Sequence, residues 1–339
     1  MVMSYSCVQS PMKNIVNNIM NMNINMKNKS SIVLGTWSWG SGAVGGDQVF
    51  GNHIATEQLK SVFDEAMSNG LNCWDTAFVY GMGASESILG SFVKTVERNT
   101  IILSTKFTPQ VAGNAENPVE AMLDDSLQRL GTDYIDIYWI HNPADVERWT
   151  PYLAPLVKAG KVRNVGVSNH NLEQIKRAKE ILSAEGVELS AVQNHYSLLY
   201  RSSEKAGILD YCKENGIDFW AYMVLEQGAI SGKYDTKHPL PADSQRGQTY
   251  NPMIGRIEKL VAVMKSIGDK YGLNPAQVAL AWAIAKETTP IIGVTGTSQI
   301  ADAVKALKSG LAEADILELE KAADDAEVDT RGSWENPMI

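Results

Sequence analysis

Eight times along this chain a short run rich in Val, Ile and aromatic residues gives way to an amphipathic stretch, and few folds accommodate that order. The runs cover residues 31–35, 71–75, 100–106, 134–141, 161–168, 189–195, 217–222 and 290–294. They have the length and composition of strands buried in a parallel sheet. The stretches between them carry apolar residues at helical spacing. In 118–131, Val119, Met122, Leu123, Leu127 and Leu130 share one face, and Gly131 follows where a left-handed cap is wanted. Pro118 and Pro275 fall at helix starts, where the missing N–H costs nothing. Strand and helix units in series imply right-handed crossovers, and eight of them close into a barrel. The fold class expected is α/β, a (β/α)8 TIM barrel occupying residues 21–339 as a single domain, with an extra C-terminal helix over 314–328.

The rival arrangement is a doubly wound open sheet with a second domain. It needs a glycine-rich dinucleotide loop leading straight from the first strand into a helix. The chain here reads GTWSWGSGAVGGDQVFG, rich in glycine but followed by no immediate amphipathic helix, so these glycines are assigned to a long first loop. A second irregular segment, residues 225–255, follows the seventh strand and is expected to form a partial lid, since loops of that length are usually functional. Residues 1–20 read as a disordered extension rich in Asn and Met, and 21–33 as a short hairpin closing one end of the fold.

The formal net charge of −9 argues against nucleic acid or an anionic membrane surface as partner and leaves a small carbonyl or polar metabolite. No apolar run reaches the roughly 18 residues of a membrane span. Cys7, Cys73 and Cys212 show no CxxC or zinc spacing, which suits a reducing compartment without structural disulfides.

In a barrel of this type, residues at the carboxyl ends of different strands meet at one mouth. Asp75 ends the second run, Tyr80 sits in the loop after it, Lys106 ends the third and His141 the fourth. Neighbouring strands lie about 4.8 Å apart, so the four groups can share one small site. A phenol is a poor acid at neutral pH, and an ammonium beside it is expected to lower its pKa. Asp75 would keep Lys106 charged, and His141 could donate a hydrogen bond to a substrate carbonyl. No Ser or Cys stands beside a base, and His141 with His195 is too small a set for a metal. A hydride from a cofactor fits better. Ser168, Asn169, Gln193 and Tyr222, on the ends of later strands, form an amide-rich patch beside an aromatic ring that could hold a flat carboxamide ring. His195 is a second rim candidate, whereas His170 reads as a capping or first-turn residue. Trp37, Trp39, Trp149, Tyr234 and Tyr250 supply aromatic rings near the rim and suggest an aromatic or apolar carbonyl substrate.

The segments GLNCWDTAFVYGMGASESILG, ILSTKF, LGTDYIDIYWIHNP, KAGKVRNVGVSNH, QNHYSLLYR and PIIGVTGTSQI, in this order between Ile32 and Leu307, make the chain resemble the aldo-keto reductase family. The resemblance implies reduction of an aldehyde or ketone to the alcohol, with Asp75, Tyr80, Lys106 and His141 as catalytic residues and Tyr80 as general acid. It places nicotinamide contacts on Ser168, Asn169, Gln193 and Tyr222 and pyrophosphate contacts near Leu225, Gln227 and Lys233. Gly35, Thr36 and Trp37 after the first strand, and Thr295, Gly296, Thr297, Gln299 and Asp302 after the last, complete the cofactor candidates. The cofactor implied is NADPH. NADH stays open because Thr295, Gly296, Thr297 and Ser298 stand where the family often has Lys or Arg. Ala303 replaces a common Asn, and Lys305 or Lys308 could compensate from outside the usual position. A cytoplasmic location is implied by many family members. A cofactor-sensing regulatory subunit of the channel-associated type is the alternative role.

Overall fold

The computed structural model describes residues 29–338. Eight strands, β1 (Val33–Gly35), β2 (Cys73–Asp75), β3 (Ile102–Phe107), β4 (Ile135–Ile140), β5 (Val162–Ser168), β6 (Leu189–His195), β7 (Asp218–Tyr222) and β8 (Thr289–Gly293), pair in parallel in sequence order and close as β8 meets β1. Each falls within one or two residues of its expected run. The expected extension, residues 1–20, and residues 21–28 of the expected hairpin lie outside the described residues. Lys29, Ser31 and Ile32 lie in bends rather than in a hairpin strand, and Val33 opens the first barrel strand. Lys29 caps the amino-terminal end of the barrel: its Nζ lies 3.1 Å from Asp218, 3.0 Å from Thr289 Oγ1 and 5.1 Å from the Trp220 ring.

The period of two along each strand sorts side chains into two cores. Val33, Cys73, Ile102, Ile137, Trp139, Ala191, Trp220 and Ile291 fill the barrel interior. Their neighbours Leu34, Trp74, Leu103, Tyr138, Val192, Phe219 and Ile292 face outward under the helices. Trp139 and Trp220 pack with ring centroids 5.1 Å apart. Gly166 makes room for this, since a Cβ there would lie 2.3 Å from the Trp139 ring. The interior is thus solid, and the functional space opens above it.

The helix Pro118–Leu130 shows why the amphipathic stretches fold as expected. Asn117 accepts from the Glu120 N–H, Pro118 opens the helix, Val119, Met122, Leu123, Leu127 and Leu130 are buried, and Gly131 closes it at φ 67°. One helix, Ile254–Tyr271, was not anticipated. Its buried Ile257, Leu260, Val261, Met264 and Ile267 have helical spacing, but the last unit carries two long helices, this one and Pro275–Ala285. The extra helix Glu313–Asp324 packs against it, with Lys270 Nζ 2.6 Å from Asp315.

Both long loops contain structure. The first holds a short helix, Gly46–Phe50. In 225–255 there are a 3-10 turn at Glu226–Gly228, a helix at Gln245–Tyr250 and a second 3-10 turn at Asn251–Met253. The two loop helices pack together across the mouth of the barrel, with the Arg246 guanidinium 5.6 Å from the Phe50 ring.

Candidate active site

The four strand-end groups converge. Lys106, fully buried, has its Nζ 2.5 Å from Asp75 Oδ2, 2.8 Å from the Thr76 carbonyl oxygen and 3.4 Å from the Tyr80 hydroxyl. Its three donors are thereby aimed at three oxygens. Asp75 Oδ1 accepts from Ser104 Oγ at 2.6 Å and Gln193 Nε2 at 3.2 Å, and Trp139 Nε1 donates to Ser104 Oγ at 2.5 Å. The barrel core therefore positions the carboxylate that holds the lysine. Tyr80 comes back over Lys106 because the chain turns sharply through Gly81, at φ 62°, where a Cβ would meet the Ser41 carbonyl oxygen at 2.8 Å. The rings of Tyr80 and His141 lie 6.1 Å apart at 78°, and His141 Nδ1 is 2.8 Å from Thr108 Oγ1.

Burial dominates the protonation states. It raises the Tyr80 phenol well above its usual value, and Asp75 adds to the rise. The expected lowering by Lys106 is not what prevails, because desolvation of the phenolate and the nearby carboxylate outweigh the ammonium. Burial also lowers Lys106, opposed by its bond to Asp75. Burial and then the charge of Lys106 hold His141 well below the usual imidazole range, so the ring is neutral at pH 7. In the tautomer where Nδ1 accepts from the Thr108 hydroxyl, Nε2 carries the proton and is a hydrogen-bond donor.

A cavity of about 900 Å³ opens over these groups. Asp75, Tyr80 and His141 line it, as do Gly35, Trp37, Ser168, Asn169, Gln193, Tyr222, Leu225, Gln227, Lys233, Thr295, Gly296, Gln299 and Asp302. Lys106 lies beneath that surface. Two candidates are not brought to the wall. Thr36 is buried, its Oγ1 bonded to the Asp75 carbonyl oxygen and Ser85, and Thr297 lies outside the lining. Asn169 stands at φ 63°, a conformation Asn tolerates, and accepts at 2.6 Å from the Tyr222 hydroxyl while its amide donates to the His141 carbonyl oxygen.

At the far end, Gln299 Oε1 accepts from the backbone N–H groups of Thr295 and Gly296, and Asp302 accepts from Asn274 and Gln277. Lys305 donates to the Gly272 carbonyl oxygen and so is engaged away from this end of the cavity.

The family profile described as "Aldo/keto reductase family" matches residues 31–324. The chain belongs to the aldo/keto reductase family. It is an oxidoreductase acting on carbonyl or alcohol groups. Among similar proteins, the chloroplastic pyridoxal reductase of Arabidopsis thaliana is 32% identical over 313 residues, which is 87% of this chain and 83% of the relative. The Schizosaccharomyces pombe aldo-keto reductase yakc, designated NADP(+), is 30% identical over 308 residues, 85% of this chain and 89% of its own. Among solved structures, the glycerol dehydrogenase of Gluconobacter oxydans superposes with a TM-score of 0.72 at 25% identity, covering 88% of this chain and 91% of that one.

Several residues of this aldo/keto reductase site escaped sequence reasoning. Arg246 of the lid segment lines the cavity, donates to the Gln227 carbonyl oxygen at 2.9 Å, and lies between the rings of Phe50 and Tyr234. Trp334, from the C-terminal tail, sets its edge against Trp37 with centroids 5.7 Å apart, and its Nε1 is 3.3 Å from the Tyr222 hydroxyl. Neither adjoins a recognisable motif. Of the rim aromatics, Trp37 and Tyr234 line the cavity, whereas Trp39, Trp149 and Tyr250 are buried off it. His170 is buried too, with burial lowering it to about 4, and Asn171 takes the cap of the helix Leu172–Ala184. His195 lies behind the wall, outside the lining.

Proposed function

We propose that this aldo/keto reductase uses NADPH to reduce an aromatic or apolar aldehyde or ketone to the alcohol, with Tyr80 as the proton donor. The observation that carries the reading is a half-buried phenol at the cavity wall beside a histidine ring, above a fully buried lysine paired with a buried carboxylate. Tyr80 hands its proton to the carbonyl oxygen as negative charge develops there. The His141 Nε2–H holds that oxygen, and Lys106, kept charged by Asp75, stabilises the phenolate left behind.

The residues present suit a dinucleotide. The cavity exceeds what a small carbonyl compound needs. Ser168, Asn169 and Gln193 offer amide and hydroxyl groups beside the Tyr222 ring. Ser38 Oγ and Arg246 Nε, on residues that line the cavity, are buried polar atoms without a partner among the described residues. When bound, the nicotinamide supplies the hydride taken up by the carbonyl carbon. Selectivity for NADPH over NADH is expected to be weak, because Thr295, Gly296 and Ser298 supply no charge-assisted bond for a 2′-phosphate. Among the described residues, Lys233 and Arg246 are the cations that line the cavity.

The substrate class follows from Trp37, whose ring lies 5.7 Å from that of Tyr80 at 23°, with Phe50 and Trp334 edge-on to it. These rings make an apolar slot over the proton donor. The Arabidopsis relative makes pyridoxal a suitable first aldehyde to assay. A cytoplasmic location remains part of this reading. Among the described residues, no helix is long and apolar enough to cross a membrane.

Tyr80→Phe is the decisive test. Turnover should fall about 10²- to 10⁴-fold while NADPH affinity stays near wild type. Wild-type turnover in that variant would remove Tyr80 from the acid role.

A further inference from the structure

Behind the cofactor side of the cavity lies a buried ionic cluster that the catalytic scheme leaves unused. His195, at the end of β6, presents Nε2 to Glu226 Oε1 at 3.0 Å and Nδ1 to Glu335 Oε1 at 2.9 Å. Since each ring nitrogen faces a carboxyl group, both bonds form at once with the two carboxyls ionised only when both nitrogens carry protons. Burial disfavours that cation, but Glu226 and Glu335 together raise the imidazole to about 10. Glu226 also accepts from the Ser197 hydroxyl, from the Tyr250 hydroxyl at 2.8 Å and from Thr330 Oγ1 at 3.1 Å. One carboxylate thus ties together the loop after β6, the lid helix and the C-terminal tail.

The three charged residues do not line the cavity, yet each is next to something that does. Leu225, Gln227 and Gly228 flank Glu226, Trp334 precedes Glu335, and the His195 ring stacks on Tyr222 at 5.5 Å. The arch around Glu226 is also conformationally unfavourable: Glu226 stands at φ 47°, Gln227 at 52° and Gly228 at 98°. Two successive non-glycine residues in the left-handed region persist only where surrounding contacts hold them. The Glu226 side chain supplies contacts of that kind, together with the bond from Arg246 to the Gln227 carbonyl oxygen.

We propose that His195, Glu226 and Glu335 form a clamp that positions the cofactor-side wall of the cavity. The arch 225–228 and the ring of Tyr222 on the cofactor side are then held as one unit with Trp334, whose Nε1 joins the substrate slot to the Tyr222 hydroxyl, and residues outside the cavity govern cofactor affinity. These three are positioning residues. The inference rests on the reading of the cavity as a nicotinamide dinucleotide site.

The test is a fluorescence titration of the full-length protein with NADPH and with NADH, run on wild type, Glu335→Gln, Glu335→Asp and Thr330→Val, with thermal unfolding in parallel. Glu335→Gln keeps the volume and removes the charge. Its Kd for the preferred cofactor should rise roughly tenfold, the loss of one charge-assisted hydrogen bond. Turnover at saturating cofactor should fall less than affinity does. Glu335→Asp should recover part of the loss, and Thr330→Val should weaken binding by a smaller factor. If Glu335→Gln does not fold, Glu335→Asp and Thr330→Val decide. A wild type that binds neither nucleotide overturns the clamp together with the dinucleotide reading. Normal wild-type binding with unchanged Kd in the variants, whatever their melting temperatures, overturns the clamp alone.

Discussion

Replacing Asp75 by Asn should damage stability as well as turnover, and the structure says by how much. Lys106 is fully buried and its charge is met by one carboxylate oxygen at 2.5 Å, the remaining contacts being the Thr76 carbonyl and the Tyr80 hydroxyl. Breaking a buried ion pair from one side leaves an uncompensated charge, at a cost of about 3–5 kcal/mol. For a chain of this size roughly 2 °C of melting temperature goes with each kcal/mol, so a drop of about 6–10 °C is expected. Asn keeps an acceptor for Ser104 and Gln193, so those bonds do not contribute to the loss. The combination Asp75→Asn with Lys106→Met removes both charges and should recover about 2–3 kcal/mol of the single-variant loss. Thermal unfolding followed by circular dichroism measures all of these. The reasoning fails if Asp75→Asn melts within about 2 °C of wild type, or if the paired substitution is no more stable than Asp75→Asn alone. Neither protein should reduce carbonyl compounds at a useful rate, since Lys106 no longer supports Tyr80.

Between pH 6.5 and 10, the usual values of a free imidazole and a free phenol, neither His141 nor Tyr80 should contribute an inflection to the pH profile of kcat/KM for reduction, and a fall on the alkaline side belongs to Lys106, which must stay charged and is lowered by burial. Tyr80 must be protonated and is held above the upper value, while His141 must be neutral and is held below the lower one. An inflection on the acid side of that interval, or ionisation of Tyr80 within it seen by ultraviolet difference absorbance, would refute these assignments. Trp334→Ala should raise KM for an aromatic aldehyde about 2- to 10-fold, the worth of one aromatic contact, and leave a small aliphatic aldehyde nearly unaffected. An unchanged preference between the two aldehydes would remove Trp334 from the substrate slot.

The barrel was legible in the sequence because strand and helix periods are local properties. Eight runs with helices between them admit few closures, and the observed strands depart from the expected ones only at their ends. Asp75, Lys106 and His141 could be placed together for the same reason: once parallel strands are in register, their carboxyl ends must share a rim. The helix Ile254–Tyr271 was passed over because one helix per strand is a rule of the architecture, and the unit between β7 and β8 departs from it. Thr36 could not be told from a wall residue, since one position past a strand end the chain turns, and here it turns the hydroxyl toward Ser85.

What tertiary structure alone decided is what depends on residues distant in sequence. His195 meets a partner 31 residues on and another 140 residues on, and no periodicity relates them. Trp334 and Arg246 reach the cavity from a tail and a loop whose paths follow from packing against the mouth. The protonation of Tyr80 belongs here too. A sequence shows an ammonium and a phenol close together, but the sign of the shift depends on how completely both are removed from water, and that is a property of the folded interior.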